Sequence, residues 1–178
     1  MPEILAIRER LAGMESRASA EEDVMGSESI ILQPQQGRAI DLGNFAMAVK
    51  ASHELTSGAF TLLEATEPPD FGPPMHIHHN AAEAFYVLEG EYIIFIEDQE
   101  ARCPAGSFIY IPLGVKHGFR VGSVASRKLN LYAPGVMVGY FDELAAAIAA
   151  GAADDEHLAA IAANNGVEVV GPVPEGYL

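Results

Sequence analysis

The chain has 178 residues, and its 25 acidic against 10 basic side chains give it a formal net charge of −15. This length suits one domain with a buried core, while so acidic a surface repels nucleic-acid phosphates and anionic membrane faces, so we expect neither among its partners. The chain has one cysteine, Cys103, so it cannot form an intrachain disulfide. No apolar stretch reaches the length of a signal-peptide core or a membrane span. We therefore expect a cytoplasmic protein.

The N-terminal segment predicts a helix that stands apart from the rest of the chain. In residues 4–24 apolar side chains recur near helical spacing and then give way to a polar stretch. We assign residues 1–29 to a helical arm with its linker. No candidate functional residue falls in residues 1–24, so we expect them to be dispensable to the site.

From residue 30 the pattern changes to short runs of β-branched and aromatic residues that alternate with glycine-containing turns. The first four predicted strands are Ile30–Leu32, Arg38–Leu42, Asn44–Ser52 and Ala59–Thr66. The proline-rich segment Glu67–Pro74 then predicts a rigid loop, because proline limits φ. This rhythm predicts an all-β domain over residues 30–135.

The first group of candidate ligands follows that loop. In a strand, side chains i and i+2 share a face, so His76 and His78 present two imidazoles side by side. The segment His79–Ala82 supplies a tight turn. Glu83 then opens a returning strand, which ends at Glu89 and can bring its carboxylate beside the two imidazoles.

A second unit of the same kind runs from Gly106 to His117. An apolar strand enters a Pro112–Gly114 turn and emerges at a single histidine. Three imidazoles and one carboxylate form a set of ligands suited to a divalent transition metal, and iron, manganese, nickel, copper and zinc all fit it. The other histidines, His53, His79 and His157, have no such pattern and are predicted to be surface residues.

The C-terminal part, residues 136–178, predicts two helices and an extended tail. The helices are Val138–Ala150, ended by Gly151, and Asp155–Asn164, capped by Asp154 and closed by Asn165–Gly166. The tail Val167–Leu178 carries apolar side chains, which suit it to cover a barrel mouth or a neighbouring subunit.

The two ligand units resemble the paired motifs of the cupin superfamily. The residues that carry the resemblance are Gly72, His76, His78, Glu83 and Gly90 in the first motif and Gly106, Pro112, Gly114 and His117 in the second. The chain departs from the family pattern at Gly72, which lies four residues before His76 instead of six, and at Val121, which replaces an asparagine. The resemblance covers residues 37–135. It implies an all-β cupin barrel, a double-stranded β-helix or jelly roll, and a homodimer.

The residues around the predicted ligands leave two interpretations open. If Glu83 points inward, Phe85 and Val87 share its face; if His117 points inward, so does Phe119. Such an apolar, aromatic wall suits a pocket for a small organic substrate, but an ordinary barrel core needs the same residues.

Resemblance to quercetinase-like monocupins implies a dioxygenase that acts on a flavonol- or enol-type substrate at the metal. Glu83 would then be both a ligand and the general base. One alternative is a non-redox enzyme in which the metal acts as a Lewis acid for isomerisation or for cyclisation of a polyketide-like chain. Another is a small-molecule-binding protein without turnover, because the superfamily includes such members.

Overall fold

The computed structural model describes residues 29–174, so the predicted N-terminal helix and the end of the tail lie outside the described residues. The described chain forms strands β1 to β11 and, between the last two of them, helices α1 and α2. Their bounds are β1 Arg38–Asp41, β2 Ala46–Ala51, β3 Thr61–Glu67, β4 Met75–His78, β5 Ala82–Glu89, β6 Glu91–Ile96, β7 Gln99–Pro104, β8 Phe108–Ile111, β9 His117–Val121, β10 Ser126–Ala133, α1 Val138–Ala149, α2 Asp155–Asn164 and β11 Val167–Gly171.

The strands form two antiparallel sheets, in the order β1-β2-β3-β10-β5-β8 and β11-β4-β9-β6-β7. Because β4 lies in the second sheet and β5 in the first, the turn between them carries the chain from one sheet to the other. This mostly β, two-sheet arrangement followed by C-terminal helices confirms the predicted jelly-roll fold class. None of the helices among residues 29–174 has the length and apolar character to cross a membrane.

Two apolar clusters hold the domain together. One fills the space between the sheets and includes Phe85, Val87, Tyr92 and Phe119. It forms because alternate residues of each strand point inward, as the buried, half-buried alternation of β5 shows. The other packs the first sheet against α1 and α2, and includes Leu63, Tyr132, Met137, Phe141 and Ala162. The helices are therefore part of the core.

The predicted strands agree with the structure except at one place. The second, third and fourth predicted strands correspond to β1, β2 and β3, and the predicted Glu83–Glu89 strand corresponds to β5. The predicted strand Ile30–Leu32 is wrong: this segment has no regular structure, and Ile31 is 85% exposed. A three-residue apolar run has few backbone groups to pair, and it leads at once into the turn closed by Gln36 N–H and Gln33 O.

Both predicted C-terminal helices are confirmed. Ala150 caps α1 and Gly151 follows in the left-handed conformation, with φ of +67°. The Asp154 side chain accepts a hydrogen bond of 2.9 Å from the backbone N–H of His157, as an N-cap should. The described part of the tail forms β11, which pairs with the ligand-bearing strand β4 within the same chain.

Candidate metal centre

The structure brings the four predicted ligands together. His76 and His78 lie on β4, His117 begins the neighbouring strand β9, and Glu83 reaches the same point from β5 in the opposite sheet. One potential ligand atom of each residue lies within 4.8 Å of those of the other three. This separation allows a single ion to contact all four side chains.

Backbone contacts between the two motifs set this geometry. His76 and His117 are direct partners across β4 and β9. The N–H of Gly114 donates a hydrogen bond of 2.9 Å to the carbonyl of His78. Gly114 has φ of +82°, a conformation that side chains disfavour. The Pro/Gly turn recognised in the sequence thus fastens the second motif to the ligand strand of the first.

Hydrogen bonds to backbone carbonyls orient two of the imidazoles. Nδ1 of His76 lies 2.8 Å from the carbonyl of Pro74, and Nδ1 of His117 lies 2.8 Å from the carbonyl of Val115. A carbonyl only accepts, so each Nδ1 carries a hydrogen and each Nε2 is left for the centre of the cluster. Such outer contacts are what fix a histidine as a metal ligand.

The Glu83 carboxylate is 3% exposed and shares one oxygen between two histidines. Its Oε2 lies 2.8 Å from Nε2 of His117 and 3.3 Å from Nε2 of His78. Burial alone would raise the pKa of Glu83, but His117 and His78 outweigh it and hold the pKa well below the usual range. Glu83 is therefore an ionised carboxylate at neutral pH.

The protein environment shifts two histidines in opposite directions. Burial and the neighbouring His117 lower the pKa of His76 to about 4, so this imidazole is neutral at pH 7. Burial also acts to lower the pKa of His117, but the hydrogen bond and charge of Glu83 outweigh it and raise that pKa above 6.5.

The hydrogen bonding of the His78 imidazole shows whether a metal fits the cluster. Its side chain is 4% exposed, and although Nε2 lies 3.3 Å from Oε2 of Glu83, neither ring nitrogen makes a well-aligned hydrogen bond with a described residue. Buried polar atoms are normally satisfied, so Nε2, which faces the cluster, requires a partner. A divalent transition metal would supply it, and three imidazoles with one carboxylate are suitable ligands for such an ion.

The other histidines, His53, His79 and His157, are exposed as predicted, and His79 pairs with Glu168 at 2.8 Å.

A cavity of about 780 Å³ opens beside the cluster. Its walls come from both sheets and from the C-terminal helices, and most of the lining is apolar: Phe45, Phe71, Phe119, Tyr140, Phe141, Leu144, Ile148 and Leu158. His76, His78 and Glu83 also line it, so the cluster is accessible from the cavity.

Of the three predicted pocket residues, Phe119 lines the cavity whereas Phe85 and Val87 are not among the described lining residues. Both are buried in the cluster between the sheets, where the Phe85 ring packs edge-on against Phe119 at 5.9 Å between centroids. Glu83, Phe85 and Val87 do share a face of β5, but only Glu83 lies at the cavity end of the strand. The two deeper side chains fill the core.

Sequence reasoning missed two polar residues on β10 that face the cavity, Asn130 and Tyr132. Tyr132 is the direct strand partner of Glu83. Burial and the neighbouring Glu83 carboxylate raise the pKa of Tyr132 well above its ordinary value. The signal in the sequence was the alternation of polar residues at Ser126, Lys128, Asn130 and Tyr132, all of which are buried.

A buried ion pair lies between the sheets near the same cavity. Lys128 is 0% exposed, and its Nζ donates to both carboxylate oxygens of Glu67, at 2.6 Å for Oε2. The Tyr92 hydroxyl also donates to Glu67, at 2.7 Å. Nζ of Lys128 lies 4.0 Å from the centre of the Phe119 ring, within cation–π range. Every charge in this network therefore has a partner.

Comparison with known proteins agrees with this geometry. Residues 63–127 match the cupin domain family. The chain is 24% identical to quercetin 2,3-dioxygenase of Bacillus subtilis (strain 168) over 119 residues, which are 67% of this chain and 35% of that protein. The chain therefore aligns with only about a third of that relative.

Solved structures show the same fold. An RmlC-like cupin from Shewanella frigidimarina superposes with a TM-score of 0.53 at 16% identity, over 62% of this chain and 95% of that one. The polyketide cyclase RemF of Streptomyces resistomycificus superposes with a TM-score of 0.52 at 23% identity, over 60% of this chain and 80% of that one. Together with the two motifs and the jelly-roll sheets, these matches identify a cupin domain in residues 63–127 of the chain.

Proposed function

We propose that this cupin is a metal-dependent dioxygenase that acts on a small flavonol- or enol-type substrate. The observation that carries the proposal is that the cluster of three histidines and Glu83 opens directly onto a mostly apolar cavity of about 780 Å³. Cavities of roughly 300–1,000 Å³ with a few polar groups are typical of small-molecule sites. The similarity to a quercetin 2,3-dioxygenase supports this choice of chemistry.

The four ligands would hold the metal, which would supply Lewis acidity and, if redox-active, a route for dioxygen chemistry. Glu83 is suited to accept the hydroxyl proton of an incoming enol, because it is ionised and lines the cavity. Tyr132 lies directly opposite Glu83 on the neighbouring strand and lines the same cavity.

Dioxygen consumption tests the proposal. Metal-replete protein mixed with quercetin in an oxygen electrode should consume dioxygen in proportion to the substrate lost, and chelated protein should not. Product formation without dioxygen would instead identify a non-redox isomerase or cyclase. Binding without any product would identify a small-molecule-binding protein.

Removal of the metal should destabilise the fold. A ligand bound only by the native state adds about 2.7 kcal/mol at a hundredfold excess over Kd, which is roughly 5–10 °C in melting temperature for a domain of this size. Chelation should therefore lower the melting temperature, and so should His76→Ala and His117→Ala. The exposed His79→Ala is the matched control and should leave it unchanged. An unchanged melting temperature in all three treatments would show that no metal binds here.

Metal affinity should fall as the pH is lowered from neutrality. The metal needs Nε2 of His117 without its proton, and Glu83 raises the pKa of that group above 6.5. Metal affinity therefore has its full value above this pKa and falls about tenfold for each pH unit below it. His76 stays neutral down to about pH 4. Metal titrations between pH 8 and pH 5 measure the effect; a flat profile across that range would contradict it.

A further inference from the structure

We propose that Asn130 is the group that recognises the substrate's hydroxyl in the cavity, and that the natural ligand therefore carries a hydrogen-bond donor in addition to the oxygen that reaches the metal centre. This inference rests on the proposed function for the class of ligand. It adds the residue that selects among members of that class.

Asn130 has an unused acceptor in the cavity. The residue is 3% exposed and lines the cavity, and its Oδ1 has no hydrogen-bond partner among the described residues. The other buried side-chain atoms without a partner belong to Thr61, His78 and Asn80. Of these only His78 lines the cavity, and its partner would be the metal. Asn130 thus remains as the cavity-lining residue whose acceptor lacks a donor among the described residues, and a ligand in the cavity could supply one.

The neighbouring hydrogen bonds fix which end of the amide faces the ligand. Nδ2 of Asn130 donates to the Tyr132 hydroxyl oxygen at 3.3 Å. Because the amide nitrogen is the donor in this contact, the amide oxygen is the end left without a partner, and it offers an acceptor.

None of residues 29–174 donates a hydrogen bond to Oδ1 of Asn130. Its partner across β5 is Phe85, and Phe119 lines the cavity near it. Glu67 also lines the cavity, but its carboxylate oxygens are engaged by Lys128 and Tyr92. A ligand that donates to Asn130 consequently gains one specific polar contact in a mostly apolar site, which is how such sites discriminate between related molecules.

The spacing limits the shape of the ligand. Asn130 and Tyr132 are two residues apart on β10, about 7 Å along the strand, and Tyr132 lies opposite Glu83. A ligand that contacts both the metal centre and Asn130 must therefore extend from Glu83 to the next inward-facing residue of β10 beyond Tyr132. Hydroxyl groups at the far side of a fused aromatic ring system meet this requirement. The geometry points to a hydroxylated flavonol or a related fused-ring enol.

The test compares quercetin with 3-hydroxyflavone, which lacks quercetin's additional hydroxyl groups. Binding is measured by calorimetry without dioxygen on zinc-loaded protein, because zinc has no redox chemistry that would consume the ligand. The wild type should bind quercetin more tightly. Asn130→Leu, which keeps the size of the side chain, should weaken quercetin binding roughly tenfold and leave 3-hydroxyflavone binding unchanged. The control Leu158→Ala, on the opposite wall, should weaken both probes by a similar factor.

The wild-type comparison needs no variant, so the inference is testable even if Asn130→Leu fails to fold. It is overturned if the wild type shows no preference for quercetin, if Asn130→Leu affects both probes equally, or if neither probe binds. Preference for quercetin without dioxygen consumption in air would refute the dioxygenase proposal and leave the role of Asn130 standing.

Discussion

Glu83→Gln should lower turnover per bound metal by ~10²- to 10⁴-fold, the usual contribution of a general base. Glutamine keeps the shape and one donor oxygen of glutamate, so the three histidines should still hold metal, with lower affinity. What it removes is the negative charge and the capacity to accept a proton from the substrate. The measurement is dioxygen consumption with quercetin under air, divided by the metal content of the same sample.

The control for this variant is Glu168→Gln. Glu168 is an exposed carboxylate on β11, the strand beside β4, and it pairs with His79 at the surface. Its exchange should leave turnover unchanged. If Glu83→Gln and the wild type turn over equally per bound metal, Glu83 acts as a ligand only, and Lewis-acid chemistry or plain binding becomes the better account of the site.

Lys128→Met should lower the free energy of unfolding by about 3–5 kcal/mol, as expected when one partner of a buried ion pair is removed. The reason is that the buried Glu67 side chain would lose its cationic partner and keep the Tyr92 hydroxyl as its remaining hydrogen-bond donor among the described residues. Denaturant unfolding of the two proteins measures the difference.

A double variant separates the charge from the packing. Lys128→Met combined with Glu67→Gln leaves no ionised group behind, so it should recover most of the lost stability. Arg38→Met, which breaks the exposed pair between Arg38 and Asp142, should change stability by less than about 1 kcal/mol. A double variant as unstable as Lys128→Met alone would show that the loss arises from packing around Lys128.

The candidate metal ligands could be predicted because their placement depends on short-range geometry. His76 and His78 share a face through the two-residue period of a strand, and the Pro112–Gly114 turn delivers His117 at a fixed distance along the chain. The reach of Glu83 follows from the tight turn that precedes it. All of these relations act over a few residues, so they are visible in a single sequence.

The interior polar network was not predictable in the same way. In the alternating segment Ser126–Ala133, hydrophobicity alone would turn Leu129 and Leu131 inward and Asn130 outward. The structure has the opposite arrangement: the polar residues of β10, which lies between β3 and β5, face inward, and Lys128 pairs there with Glu67. Glu67 and Lys128 are 61 residues apart, and pairing over that separation leaves no local pattern.

Two separate parts of the chain form the walls of the cavity. All four ligands lie within residues 63–127, the stretch that matches the cupin domain family, whereas α1, α2 and β11 lie beyond it and supply one wall of the cavity. Substitutions in residues 138–172 can therefore reshape what fits beside the metal centre without altering a single ligand. The four candidate ligands and the size of the adjoining cavity can therefore change independently of each other in sequence.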